Sequence, residues 1–174
     1  MAAAKRTETS RGALALAVAS VALVGVASWA IVKGRSQLGG AAAAAAGATL
    51  VISAVLVRRS GRLLDRVVGS LGDRAFDAGV FGSLAWAFRW EDAATSAAAL
   101  VAVAAGSVSA YIRARGQSLG YQLEESPGYR TLRYGLVSVG LLAGLATAGV
   151  IAAAGLAIVT ALLRASQVAK EERA

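Results

Sequence analysis

Gly69-Ser70-Leu71-Gly72-Asp73-Arg74-Ala75-Phe76-Asp77, continuing as Ala78-Gly79-Val80-Phe81-Gly82-Ser83-Leu84-Ala85-Trp86, is the stretch on which the reading of this chain turns. It sets two carboxylates at the head of an otherwise apolar run. Asp73 and Asp77 are four residues apart, so on a helix they share one face, about 6 Å apart along the axis. Gly69 lies one turn earlier on that face and leaves room beside it. A charged side chain at the middle of a bilayer costs roughly 2.5–3.5 kcal/mol. Two like charges at about 6 Å repel by roughly 3 kcal/mol at an effective dielectric of about 20. A chain that keeps both has a use for them, and a divalent cation is the usual way to offset both costs.

The residues around this stretch make the membrane reading firm. Of 174 residues 57% are hydrophobic and 16% charged, against about 25% charged in a soluble domain. The mean hydropathy is +0.62. Apolar runs of near membrane-spanning length recur along the whole sequence, which predicts an all-α, polytopic membrane protein, a six-transmembrane-helix bundle forming a single domain over residues 1–174. The predicted helices cover about 12–32, 38–57, 67–88, 93–112, 129–147 and 149–166. The last break falls near Thr147–Gly149 and no charge marks it. The tract Ala41–Ala46 suits a closely packed membrane helix. The first run, Gly12–Val32, is too long for a signal peptide and more spans follow it, so it reads as a membrane helix.

The formal charge of +8 does not point to nucleic acid, because the basic residues flank apolar runs and form no soluble basic domain. They read as topology signals and contacts to anionic membrane lipids. With both termini cytoplasmic, fourteen basic residues fall on inner segments, among them Arg58, Arg59, Arg113 and Arg115, and three on outer turns, Lys33, Arg35 and Arg89. That bias predicts a multi-pass protein of the cell membrane with Asp73 and Asp77 within reach of the cytoplasmic face, where soluble phosphorylated substrates are found. The chain has no Cys and no His, which excludes disulfides, thiolate chemistry, zinc sites and histidine catalysis.

Gly69-x3-Asp73-x3-Asp77 resembles the second half of the CDP-alcohol phosphatidyltransferase signature, D-x2-D-G-x2-A-R-x8-G-x3-D-x3-D. It opens the third of six predicted spans after a basic cytoplasmic loop, as in that family. Ser109-Ala-Tyr-Ile-Arg-Ala-Arg-Gly-Gln-Ser-Leu-Gly120 is similar to the family's helix-4 ending, and Glu125-Ser-Pro-Gly-Tyr-Arg130 to the segment leading into helix 5. The resemblance covers roughly residues 40–174. It departs in the first half of the signature. The aspartates should stand near residues 50–55, where the sequence reads Leu-Val-Ile-Ser-Ala-Val, and no acid occurs between Glu8 and Asp65.

The resemblance implies transfer of a phosphatidyl-type group from a CDP-linked lipid to an alcohol, with release of CMP. In the family four aspartates surround two divalent cations that hold the pyrophosphate. Here Asp73 matches a Mg²⁺ or Mn²⁺ ligand, and Asp77 matches both a ligand and the base that takes the alcohol's proton. Arg58 or Arg59 stands where the family has its arginine, and Arg113 and Arg115 match positions for a phosphate clamp on a small phosphorylated alcohol. Two carboxylates are too few for a tight two-metal site, so any ion is expected to be weakly held.

Each residue also has a plainer reading. Asp73 and Asp77 could begin a helix in water or pair with arginine, and Arg58, Arg59, Arg113 and Arg115 could anchor the inner leaflet. Gly72 and Gly79 suit helix packing, and Tyr111, Tyr121, Tyr129 and Tyr134 suit the membrane interface. Three functions stay open: an active phosphatidyltransferase with a reduced metal site, an impaired relative serving as a partner subunit in a homodimer or heterodimer, and an unrelated small membrane protein.

Overall fold

A computed structural model describes residues 2–60, 63–121 and 127–172, with side-chain surroundings for 12–57, 67, 69–121 and 128–172. Among the described residues the chain is all-helical, without strands. The helices are α1 (Ala2–Val32), α2 (Ser36–Ser60), α3 (Leu63–Phe76), α4 (Gly82–Phe88), α5 (Ala93–Ser118), α6 (Pro127–Leu142) and α7 (Ala146–Glu171). A π-helical turn, Asp77–Phe81, joins α3 to α4 without a break, so these three pieces form one rod and the described residues make six rods. Gly12–Val32, Ser36–Val57, Ala93–Ser118 and Ala146–Glu171 are long and apolar enough to cross a membrane. The α6 helix, at 16 residues, rises about 24 Å, short of a hydrocarbon core of about 30 Å.

The boundary predicted at Thr147–Gly149 is corrected to residues 143–145. The cause is a glycine turn that hydropathy does not register. Gly144 has φ +72°, its N–H donates to the Leu141 carbonyl at 3.3 Å, and the Leu145 N–H donates to Gly140 at 2.7 Å. This pair of bonds satisfies the last carbonyls of α6 and reverses the chain. The α1–α2 hairpin closes the same way at Gly34, φ +72°, with Gly34 bonded to Ile31 at 3.0 Å and Arg35 to Ala30 at 2.8 Å. Elsewhere the rods start earlier or run longer than predicted: α1 begins at Ala2, α3 at Leu63 and α5 ends at Ser118.

Small residues let the rods approach closely. Ala42, Ala43 and Ala46 of the alanine tract are buried. A Cβ on Gly40 would stand 2.9 Å from the Leu142 nitrogen and 3.0 Å from the Ser138 carbonyl, so α2 and α6 touch backbone to backbone. Gly140 and Gly149 do the same between α6 and α7, with Gly140 Cα 2.9 Å from a Cβ placed on Gly149. Gly72 and Gly79 pack against Leu50 of α2 and Val24 of α1, in keeping with a packing role. The core between the rods holds Phe76, Val80, Phe81, Leu84, Val137 and Leu141. Leu14, Val18, Leu100, Val108, Ile151 and Leu162 point outward, as lipid-facing side chains do.

At the far end from the aspartates, Asp92 caps α5. Its carboxylate accepts from the Ala94 and Thr95 amides at 3.0 and 3.1 Å and from the Thr147 hydroxyl at 3.0 Å, which ties the start of α5 to the start of α7. These bonds, the Thr95 hydroxyl's first among them, hold its carboxyl below the usual carboxylate range. Arg89 lies 3.8 Å over the Trp86 ring and 5.6 Å over Trp90, both exposed, as interfacial anchors.

Candidate functional site

The third rod and α6 meet through charged faces of matching spacing. Asp73 and Asp77 are one turn apart on the rod. Arg130, Arg133 and Tyr134 fall at i, i+3 and i+4 on α6, hence on one face. Arg133 Nη2 donates to both oxygens of Asp77, at 2.6 and 2.7 Å. Arg130 is ion-paired with Asp73, whose other oxygen accepts from the Tyr134 hydroxyl at 3.0 Å. Asp77 is 4% exposed and Arg133 8%, so this pair is cut off from water. The more open Asp73–Arg130 pair sits toward the mouth of the site, its side chains 18% and 31% exposed. Tyr134 also stacks on Phe76, ring centroids 3.9 Å apart.

The third side of the site is α5, whose Gly106, Ser109, Ala110, Arg113 and Gln117 recur at helical spacing. Gly106 allows the close approach. A Cβ there would stand 2.6 Å from Arg133 Nη1 and 2.9 Å from Asp77 Oδ2. Arg74 donates to the Gly106 carbonyl at 3.3 Å, and Arg164 of α7 donates to the Ser109 carbonyl and hydroxyl at 3.0 and 2.9 Å. These residues enclose a cavity of about 710 Å³. Its lining carries Asp73 and Asp77 against Arg74, Arg113, Arg130, Arg133 and Arg164, a formal excess of three positive charges. Such a lining attracts phosphate and does not suit a free cation.

Of the residues singled out by sequence, Asp73, Asp77, Gly69 and Arg113 line this cavity. Gly69 has open space beside it, with nothing within 4 Å of the position a methyl group would take. Arg115 is exposed and lies outside the lining. The side chains of Arg58 and Arg59 lie outside the described residues. Sequence reasoning gave no site role to Arg74, Arg133 or Arg164, and noted Arg130 only as the end of the segment leading into helix 5. Tyr134, read as an interfacial aromatic, is 3% exposed and belongs to the core of the site. The Arg-x-x-Arg-Tyr spacing at the start of α6 was the available signal, since it mirrors Asp-x-x-x-Asp on a partner helix.

Among the described residues no group of three or more carboxylates, histidines or cysteines could hold a metal ion. The donor set does not fit the four-carboxylate, two-metal centre that the resemblance implies. Both carboxylates present are already matched by guanidinium groups. The residues that line the cavity from the 50–57 segment, where further aspartates would be needed, are Leu50, Ala54 and Val57.

Comparison with known proteins bears on the fold. No protein-family model matches the sequence, and no curated protein matches it. Three crystal structures of Mycobacterium tuberculosis phosphatidylinositol phosphate synthase (PgsA1), a CDP-alcohol phosphatidyltransferase, are similar in structure. The apo form is 21% identical with a TM-score of 0.73, covering 92% of this chain and 88% of that one. The form with CDP-DAG bound is 20% identical with a TM-score of 0.74, covering 92% and 85%. The form in complex with manganese and citrate is 19% identical with a TM-score of 0.69, covering 92% and 81%. The chain therefore has the fold expected from the resemblance, with the aspartate pair embedded in it.

Proposed function

We propose that this chain is a divergent CDP-alcohol phosphatidyltransferase-like protein of phospholipid biosynthesis, whose arginine-lined cavity receives the phosphates of a CDP-linked lipid or of a phosphorylated alcohol. The observation that carries the reading is the convergence of Arg74, Arg113, Arg130, Arg133 and Arg164 on one cavity of about 710 Å³. It is supported by the fold shared with a synthase crystallised with CDP-DAG. Guanidinium groups bind phosphate oxygens through paired, charge-assisted hydrogen bonds. The cavity volume suits a nucleotide or headgroup, and its apolar wall of Leu50, Ala54 and Val57 suits the carbon portion of a lipid. The charge asymmetry of the sequence supports a multi-pass arrangement in the cell membrane with both termini and the cavity mouth cytoplasmic.

In this reaction class the alcohol oxygen attacks the lipid-bearing phosphorus, the bond from that phosphorus to the CMP oxygen breaks, and the alcohol's proton passes to a base. Asp77 is this chain's candidate base. Its two oxygens already accept from Arg133, so taking a proton means giving up a buried ion pair. The charge stabilisation that dominates such chemistry is also reduced relative to a four-carboxylate centre. The proposed activity is therefore ligand binding with little turnover, which also suits a partner subunit of an active enzyme.

The test supplies purified protein with CDP-diacylglycerol and candidate alcohols in Mg²⁺ or Mn²⁺, and measures both bound lipid and released CMP. Retention of CDP-diacylglycerol with CMP at background is expected. Robust CMP release that Asp77→Asn abolishes would overturn the low-turnover reading, and failure to retain CDP-diacylglycerol would overturn the binding role.

A further inference from the structure

We infer that Arg130 and Arg133 stand in this cavity where the fold's relatives would be expected to place divalent cations, so that it binds phosphate-bearing ligands without metal. The inference deepens the proposed function and takes its ligand class from it. Charge conservation is the first argument. Four carboxylates and two divalent cations sum to zero. So do the carboxylates of Asp73 and Asp77 and the guanidiniums of Arg130 and Arg133, which are paired one to one. The net charge is preserved with half the carboxylates and half the positive charge.

Space is the second argument. Mg²⁺ requires about six oxygens at roughly 2.1 Å and gives up its waters reluctantly. Asp77 is 4% exposed, both its oxygens are engaged by Arg133, and α5 closes over the pair at Gly106, where even a methyl group would meet Arg133 and Asp77. The guanidinium already takes the carboxylate oxygens that an ion would have to coordinate. Among the described residues, those that α2 contributes to the lining are Leu50, Ala54 and Val57, which offer no oxygen donor from their side chains.

Hydrogen-bonding capacity is also left unused at the site. Arg133 Nε is buried and has no hydrogen-bond partner, although Arg133 lines the cavity. A buried donor left unpaired is costly, and a small shift of the Arg133 guanidinium would let an anion in the cavity satisfy it. With Asp73 and Asp77 matched by Arg130 and Arg133, the guanidiniums of Arg74 and Arg164 also line the cavity and can offset a phosphate. Arg74 and Arg164 are steadied by α5 oxygens and are thereby held toward the same volume.

Binding of inorganic pyrophosphate and of CDP-diacylglycerol to the detergent-purified full chain, by calorimetry in EDTA and again in Mg²⁺ or Mn²⁺, tests the inference. Titration of Mn²⁺ alone accompanies it. Metal and anion are predicted to be uncoupled on the protein, so by linkage the affinity for free pyrophosphate, corrected for its own metal complexes in solution, should change by less than about threefold between the buffers. Mn²⁺ alone should show no saturable binding below roughly 1 mM. Asp77→Asn, which keeps the shape of the side chain and releases Arg133 from its counter-ion, should tighten pyrophosphate binding in EDTA, whereas a metal site would lose it. Pyrophosphate binding that needs Mn²⁺, or a submillimolar Mn²⁺ site lost in Asp73→Asn, would overturn the inference and leave the proposed function standing. Absence of pyrophosphate binding in either buffer would overturn it too. Metal-free pyrophosphate binding without any CDP-diacylglycerol binding would uphold it and sink the lipid reading instead.

Discussion

Replacing Gly106 by alanine adds one methyl group at the most crowded point of the site. That methyl would stand 2.6 Å from Arg133 Nη1 and 2.9 Å from Asp77 Oδ2. An arginine tip in open space would swing aside at little cost. Here it holds both oxygens of Asp77 and lies within 5.9 Å of the Phe81 and Tyr134 ring centres, so retreat means surrendering the pair. Breaking a buried ion pair costs about 3–5 kcal/mol. Alanine returns about 1 kcal/mol of helix propensity. The net loss is roughly 2–4 kcal/mol, which at about 3 °C per kcal/mol lowers the melting temperature by roughly 6–12 °C. Intrinsic fluorescence of Trp29, Trp86 and Trp90 during heating in detergent gives the readout. Gly69→Ala is the control, since nothing lies within 4 Å of its added carbon. It should melt at or slightly above the wild type. A Gly106→Ala protein as stable as Gly69→Ala would refute the claim that Gly106 is fitted against the Arg133–Asp77 pair.

Further outcomes follow from the same contacts. Arg133→Met alone should cost about 3–5 kcal/mol in unfolding, because it strands a buried carboxylate, and Arg133→Met with Asp77→Leu should recover most of that loss; equal instability of the single and double variants would show that the pair is not the cause. The Asp92 carboxyl is held low by its bonds to Thr95 and Thr147, so its stabilising effect is present above the unfolded value near 3.9 and fades as pH falls through the lower folded value. Melting of wild type and Asp92→Asn should therefore differ at pH near 6 and converge well below pH about 4. The chain lacks cysteine, so single cysteines at 5, 90 and 172 can be labelled uniquely. Positions 5 and 172 should react from the cytoplasmic side and 90 only from outside, and cytoplasmic labelling of 90 would reverse the orientation.

The helical class and the number of rods were legible because hydropathy reports burial in lipid directly. Asp73 and Asp77 were legible because a charge in an apolar run is conspicuous by its cost. Their partners were not. Arg130 and Arg133 look in sequence like the flanking charges of any inner-face helix, and only the packing of α6 against the third rod gives them a different task. The π-helical turn at Asp77–Phe81 has no marker in composition either, although Gly79 within it lies close against Val24 of α1. The break at Gly144 was misplaced by a few residues because glycine punctuates a membrane helix through backbone dihedrals, to which hydropathy is blind.

The distance in sequence between the two halves of the buried pair has a consequence for how the protein is made. Asp77 and Arg133 are 56 residues apart. At ribosomal speeds of about 5–20 residues per second, the third rod waits roughly 3–11 s after synthesis before its counter-ion leaves the ribosome. During that interval two carboxylates face either the insertion machinery or the headgroup layer without their guanidiniums, at a cost of the order of 2.5–3.5 kcal/mol each if driven to mid-membrane. In the proposed orientation the rod would stay near the cytoplasmic surface and settle to its final depth only when α6 arrives, so that placement of the third segment would be timed by translation of the fifth.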